Sequence, residues 1–393
     1  MRAFLALFLV LFSVQTWAAG TLSERTYKKL TTIQELMGEG KYDEALRRLA
    51  NLAPKVKRNQ YEYATVMQTY GYAWSAKERY RKAIHAFEEA LATEALPDPV
   101  QLAMRYNLAQ LYAAIPDWKA AARAYEQWLA GAEKPSAQSY AFGATVYAQL
   151  KKYDKAIPKI RKAISLARKP HENWYQLLLS LYYQQKRYKQ AAGVLESMIA
   201  FWPDRKKYWK QLSGVYFTLK RDRKALAVLA LAYRRGFLEK ERELLNLVNL
   251  YLLQNIPYKA ARILEKEMAV GRIRETGKHL QKLGEAWMAA RENDAAAEKL
   301  LAAAKLQKQG VLFLRLAQIY LDKEQWKKAL RMADKALAAG DLKHPGDAWL
   351  IKGMAQYEIG REDKALHSFA KAARYRKNKR QAQQWIGFIR GQS

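Results

Sequence analysis

Cysteine is absent from the 393 residues. That absence excludes a disulfide framework, a zinc finger, an iron–sulfur cluster, a thiol nucleophile and bacterial lipid attachment. Histidine is scarce: His85, His171, His279, His344 and His367 are scattered, with no His-x-x-x-His or Glu-x-x-His pairing on one helix face. They read as isolated surface residues, because a metal site needs converging ligands. There is no Gly-x-Ser-x-Gly elbow, no Walker loop and no Gly-x-Gly-x-x-Gly. No catalytic, metal or cofactor-binding residue is assigned, and the expectation is a protein that is not an enzyme. Acid is short relative to base, with 37 Asp and Glu against 69 Lys and Arg and a formal net charge of +32. Half the residues are apolar, enough to bury a core, so intrinsic disorder is excluded.

A charge of this size points first to nucleic acid or an anionic membrane surface. The N-terminus argues against the first. Arg2 is followed by an apolar run from Ala3 to Phe12 and then by small residues around Thr16, Ala18 and Ala19. This is the three-part layout of a secretory signal peptide over residues 1–19, and the run is about half of the ~20 apolar residues that span a bilayer. The mature chain is expected in the periplasm, away from DNA and messenger RNA, so no nucleic-acid partner is assigned.

Beyond residue 20 the sequence repeats. Ala45, Ala83, Ala121, Ala156, Ala191, Ala225, Ala260, Ala296, Ala329 and Ala365 follow one another at spacings of 33 to 38 residues. Nine residues before eight of them stands a ring: Trp74, Tyr112, Tyr147, Tyr182, Tyr216, Tyr251, Trp287 and Tyr320. Period and residue types match the 34-residue tetratricopeptide unit, a helix, a turn and a second helix. The small residue on the first helix and the alanine on the second fall where the two helices cross and larger side chains do not fit. The fold class expected is all-α, a tetratricopeptide repeat superhelical solenoid of about ten units over residues 20–373. A capping helix over 374–393 is expected to bury Trp385, Ile386 and Phe388. The longer connections at 92–99, 131–137 and 339–346 read as hinges, the first above all.

Such a solenoid binds partners along the inner face of its first helices. Reading off the positions that point away from the intra-repeat packing gives Tyr106 and Gln110; Gln176, Ser180 and Tyr183; Lys207, Lys210 and Phe217; Arg242, Asn249 and Leu252; then Gln281, Glu285, Gln318 and Tyr357. Amides, rings and a few cations suit an extended peptide, through main-chain hydrogen bonds and apolar contact. Lys207, Lys210, Arg242, Asn246 and Asn249 resemble the Lys and Asn clamp with which some repeats of this class hold a C-terminal carboxylate. Acid pairs such as Glu88-Glu89 and Glu362-Asp363 read as ordinary surface charge.

Half of the positive excess falls in residues 151–240, with 22 Lys and Arg against 6 Asp and Glu, and residues 371–390 add seven more cations. Lys151, Lys152, Lys159, Lys162, Lys186, Lys220, Arg223 and Lys224 are assigned to helix ends and second helices, outside the groove. They form either a solvated face or a docking face for an acidic protein segment, a membrane or lipopolysaccharide phosphates.

The segments LSERTYKKLTTIQELMGEGKYDEAL, YEYATVMQTYGYAW, RYNLAQLYAA, NWYQLLLSLYY and NLYLLQNIPYKAARILEKEM resemble exported tetratricopeptide proteins associated with TonB systems of gram-negative bacteria. The resemblance covers essentially all of the mature chain. It implies a periplasmic accessory of the TonB, ExbB and ExbD complex that powers uptake of iron chelates, with a TonB-system component or another periplasmic or inner-membrane protein as partner. A cell-wall or polysaccharide binding protein acting in envelope assembly or polymer export is the alternative reading.

Overall fold

The computed structural model describes residues 21–392. The assigned signal peptide lies outside them. The described chain is all-α, with 21 helices and no strand, ten helix-turn-helix pairs of tetratricopeptide type and one closing helix. None of these helices is long and apolar enough to cross a membrane. The chain divides into two compact units, residues 1–201 and 202–393.

The first unit holds α1 (Glu24–Gly38), α2 (Tyr42–Val56), α3 (Gln60–Ala76), α4 (Tyr80–Ala92), α5 (Asp98–Ala114), α6 (Trp118–Gly131), α7 (Ala137–Gln149), α8 (Tyr153–Leu166), α9 (Glu172–Gln184) and α10 (Tyr188–Phe201). The second begins at Trp202. It holds α11 (Lys206–Thr218), α12 (Asp222–Arg234), α13 (Glu241–Leu253), α14 (Pro257–Ala269), α15 (Gly277–Ala289), α16 (Asn293–Gln307), α17 (Gly310–Asp322), α18 (Trp326–Ala339), α19 (Pro345–Glu358), α20 (Glu362–Ala373) and α21 (Lys379–Gln392). Odd-numbered helices open each repeat and even-numbered ones close it.

Each of the ten marker alanines is fully buried. Five residues before each lies the turn between the paired helices, and all ten turn residues have positive φ: Gly40, Glu78, Pro116, Lys151, Lys186, Lys220, Asn255, Arg291, Glu324 and Gly360. The residue after the turn donates its N–H back to the carbonyl five positions earlier, as in Lys152 to Tyr147 (2.9 Å), Arg187 to Tyr182 (2.8 Å) and Ile256 to Tyr251 (2.9 Å). This left-handed cap satisfies carbonyls that the helix end would leave unpaired. The ring nine residues before the alanine therefore sits in the last turn of the first helix. Its main chain closes the turn while its side chain packs.

The helix crossings are set by the small residues. A Cβ placed on Gly71, Gly284 or Gly353 would stand 2.7, 2.6 and 2.7 Å from Phe87, Leu300 and Phe369 of the paired second helix. In the sixth repeat Ser213 takes this position, and its buried hydroxyl donates to the Ala225 carbonyl at 2.9 Å.

Three expectations about connections and ends need correction. The 92–99 connection is not open: helix α5 already starts at Asp98, Leu96 is buried, and the Gln101 amide donates to the Leu96 carbonyl at 2.7 Å. The unit boundary follows α10 instead, beside Pro203, and two longer connections, residues 235–240 and 270–276, were missed because Phe237, Leu238 and Ile273 make them part of the core. The closing helix starts at Lys379, and its buried stripe is Ala382 and Ile389 with Trp385 and Ile386 beside it; Phe388 is 49% exposed. Positions 382, 385, 386 and 389 keep helical spacing, and 388 lies off that stripe.

Candidate functional site

In the first unit, Tyr106 is a packed ring, 4.4 Å from Trp128 and 5.7 Å from Phe142 between ring centres. Burial pushes its phenol up, partly offset by the hydrogen bond with Gln110. Gln176 donates to Glu172 at 3.3 Å. The exposed Ser180 turns its hydroxyl onto the Leu177 carbonyl. Tyr183 is half-buried and meets Tyr188 edge-on, at 6.2 Å.

In the second unit, Lys207 lies over the Tyr208 ring at 4.8 Å. Lys210 pairs with Glu243 at 2.7 Å. That carboxylate also accepts the Glu239 and Lys240 N–H groups at the start of α13, and although burial works to raise its pKa, these bonds hold it below the ordinary carboxylate range. The ammonium of Lys210 is thus a tie between repeats. Asn249 accepts from Lys282 at 3.1 Å. Gln281 donates to Glu285, which pairs with Arg315, and Gln318 donates to Asp322. Tyr357 packs near Trp385 and Phe388, and Leu252 is half-buried.

A recurring rule emerges from these partners. Lys206–Glu239, Lys210–Glu243 and Asn249–Lys282 are each 33 residues apart, and Tyr233–Glu267 are 34 apart. Polar groups on one repeat reach the same region of the next, one period along the chain. An exposed stripe runs along α13, where Arg242, Asn246 and Leu253 follow at helical spacing on one face with Asn249, already bonded by Lys282, between them. Arg242 and Asn246 are exposed, and Leu253 is 55% exposed. Leu253 was not singled out in the sequence, although its place seven residues after Asn246 puts it on that face. Phe217, on α11, is 48% exposed.

The basic residues divide into three kinds. Lys151, Lys186 and Lys220 are the left-handed turn residues of successive repeats. Lys159 and Lys224 lie over rings, Lys159 at 5.0 Å from the centre of Tyr147 and Lys224 at 5.5 Å from that of Tyr216. Burial lowers the pKa of Lys159 against the pull of Glu126. Lys152, Lys162 and Arg223 are exposed and have no ion pair among the described residues.

Three side chains depart from the free surface role expected of them. Glu88 and Glu89 accept hydrogen bonds from the hydroxyls of Tyr112 and Tyr63, because a second helix faces rings on the first helix of its own repeat and of the next. His279 is half-buried, with Nδ1 2.7 Å from the Arg274 carbonyl and Nε2 3.7 Å from Glu241. Among the described residues, no three His, Asp or Glu side chains gather as a metal site.

Two stretches of the chain, residues 75–139 and 314–382, match the tetratricopeptide repeat family. No curated protein matches the chain. Solved structures similar to it include a tetratricopeptide repeat protein from Parabacteroides merdae ATCC 43184, at 15% identity and a TM-score of 0.39, over 72% of this chain and 94% of that one. Naa15/Naa10 bound to HypK-THB is similar at 14% identity and a TM-score of 0.44, over 93% and 66%. YrrB, described as a TPR protein with an unusual peptide-binding site, is similar at 17% identity and a TM-score of 0.39, over 49% and 98%.

Proposed function

From its tetratricopeptide-repeat fold, we propose that this chain is a non-enzymatic protein–protein interaction scaffold that holds an extended partner segment along its first helices. The observation that carries the reading is the α13 stripe, where a guanidinium, two amides and an apolar side chain stand on one helix face with Phe217 open on α11. The Asn246 amide has donors and an acceptor and so can bond both the N–H and the C=O of an extended main chain, and Asn249, whose oxygen accepts from Lys282, keeps its amide N–H groups to donate. Arg242 offers a forked donor to a carboxylate, and Leu253 and Phe217 offer apolar contact. A carboxylate clamp would then rest on Arg242 and Asn246 rather than on Lys210, which Glu243 already holds.

The scaffold acts in the periplasm, as an accessory of the TonB–ExbB–ExbD system for iron-chelate uptake. The order of residues 1–19 supports export, and the resemblance of the segments quoted above supports the TonB association. The cationic excess of residues 151–240 serves an anionic partner, a protein segment or a lipopolysaccharide surface.

Crosslinking in the envelope followed by affinity capture tests the assignment. TonB-system components are expected with the parent chain and are expected to fall several-fold with Arg242→Ala, Asn246→Ala and Leu253→Ser combined. Capture of no TonB-system component by the parent defeats the TonB reading; equal capture by parent and triple variant defeats the α13 site.

A further inference from the structure

The first unit carries a cleft that lies apart from the first-helix stripe. It opens between the second helices α8 and α10, with α9 as its floor, and has a volume of about 420 Å³. Ile164, Leu178 and Val194 give it an apolar base, and Arg161, Ser165 and Ser197 stand along its walls. The spacing explains the shape. Positions 161, 164 and 165 form one face of α8, and 190, 193, 194 and 197 form the facing stripe of α10. Gly193 stands in that stripe, and a Cβ added there would meet nothing within 4 Å. The wall is low at this point because the side chain is missing. The serine hydroxyls bond their own helices, Ser165 to the Lys162 carbonyl and Ser197 to the Gly193 carbonyl, so their oxygens keep free lone pairs toward the cleft.

The charge around the cleft is one-sided. Between residues 151 and 201 there are eleven Lys and Arg and three Asp and Glu. Asp154 already accepts from Gln185 at 2.9 Å. Arg161, Lys162, Arg168 and Lys169 are all exposed and have no ion pair among the described residues. Leu166, on the same helix, is 45% exposed. Arg161 in the cleft wall, with Lys162, Arg168 and Lys169 close to it in the chain, complements an acidic segment that also carries apolar side chains. A bare polyanion would leave the part-exposed Ile164 without an apolar partner, and a neutral apolar chain would take the exposed guanidinium of Arg161 out of water with nothing to pair it.

The geometry points to the α8–α10 cleft as a second docking site, for an acidic polypeptide segment that seats apolar side chains over Ile164, Leu178 and Val194 and carboxylates beside Arg161 and its neighbours. This deepens the reading of the basic residues as a docking face and is independent of the α13 stripe.

The test uses the full mature chain and a fluorescently labelled peptide in which Asp-Glu pairs flank a Leu-Phe pair, followed by anisotropy. Gly193→Leu fills the opening without straining the helix, since the added atoms project into open space and Leu is a better helix former than Gly. It is expected to weaken binding by about tenfold or more while leaving the salt dependence in place. Arg161→Glu is expected to weaken binding by a similar factor and to flatten the dependence on salt. A control peptide with Ser in place of Leu-Phe is expected to bind about tenfold more weakly than the probe. Binding by the parent that both variants retain overturns the cleft and leaves the wider docking face standing; no binding of any acidic probe overturns both. Binding to phosphatidylglycerol vesicles without binding to the peptide overturns the peptide assignment in favour of a lipid surface.

Discussion

Gly143 has no room for a methyl group: a Cβ there would stand 2.2 Å from the Tyr125 ring of the preceding repeat, which is fully buried. Gly143→Ala should therefore destabilise the chain by about 1–3 kcal/mol through overpacking. Gly193→Ala, with an open site, should not, and paired denaturant titrations compare the two. Tyr63 offers a pH test. Burial first, and then its 2.6 Å bond to Glu89, push its phenol up to about 12 from an ordinary value of 10.0. A raised pKa means the fold favours the protonated form. That contribution is complete below pH 10 and is lost as pH rises to about 12. The parent's melting temperature should fall more steeply across this window than that of Tyr63→Phe, and parallel profiles would remove the phenol from the account. Residues of this kind were only half legible in the sequence. Alanine spacing marks a crossing because steric demand repeats with the period, whereas the partners of Glu88 and Glu89 depend on which rings the paired helix and the next repeat bring across.

At the scale of the element, the turn between paired helices repeats most faithfully. Seven of its ten residues, all but Gly40, Pro116 and Gly360, hold φ between +54° and +64° without being glycine, a region that costs an L-residue roughly 1–2 kcal/mol. Lys186, at φ +54°, is exposed. Lys186→Gly is expected to stabilise the chain by about 1 kcal/mol, because the left-handed position then carries no Cβ cost. An unchanged or lowered denaturation midpoint would refute that. The first helix is anchored differently. Glu62 of α3 accepts from the Ser23 N–H at 2.7 Å and the Thr26 hydroxyl at 3.0 Å, tying the cap of α1 to the second repeat. At the other end, Trp385 of α21 stacks on Phe369 at 5.4 Å and 7°. Deleting residues 379–393 bares Phe369 and Tyr357, and light scattering should then show self-association that the parent lacks.

At the scale of the whole molecule, the two units each hold their own repeats and buried alanines. Stability in such arrays comes from each repeat and its neighbours. Residues 21–201 and 202–393 made separately are each expected to give a helical circular dichroism spectrum and a cooperative melt, and a fragment without helix would show that its unit is not self-sufficient. The net charge of +32 resolves at this scale into parts that behave differently. Lys206, Lys210 and Arg274 tie adjacent repeats through Glu239, Glu243 and Glu241, whereas Arg161, Lys162, Arg168 and Lys169 have no ion pair among the described residues.

The sequence by itself determined the repeat: the period, the ten alanines and the small residues at the crossings. These are local requirements, set by helical spacing and by the space between two helices about a dozen residues apart in the chain. Only the tertiary structure decided which polar residues remain open to a partner. Lys210, Asn249 and Glu285 look alike in sequence to Arg242 and Asn246. Their partners arrive from a neighbouring repeat, some thirty residues away, and the geometry that selects among them exists only once the repeats are stacked.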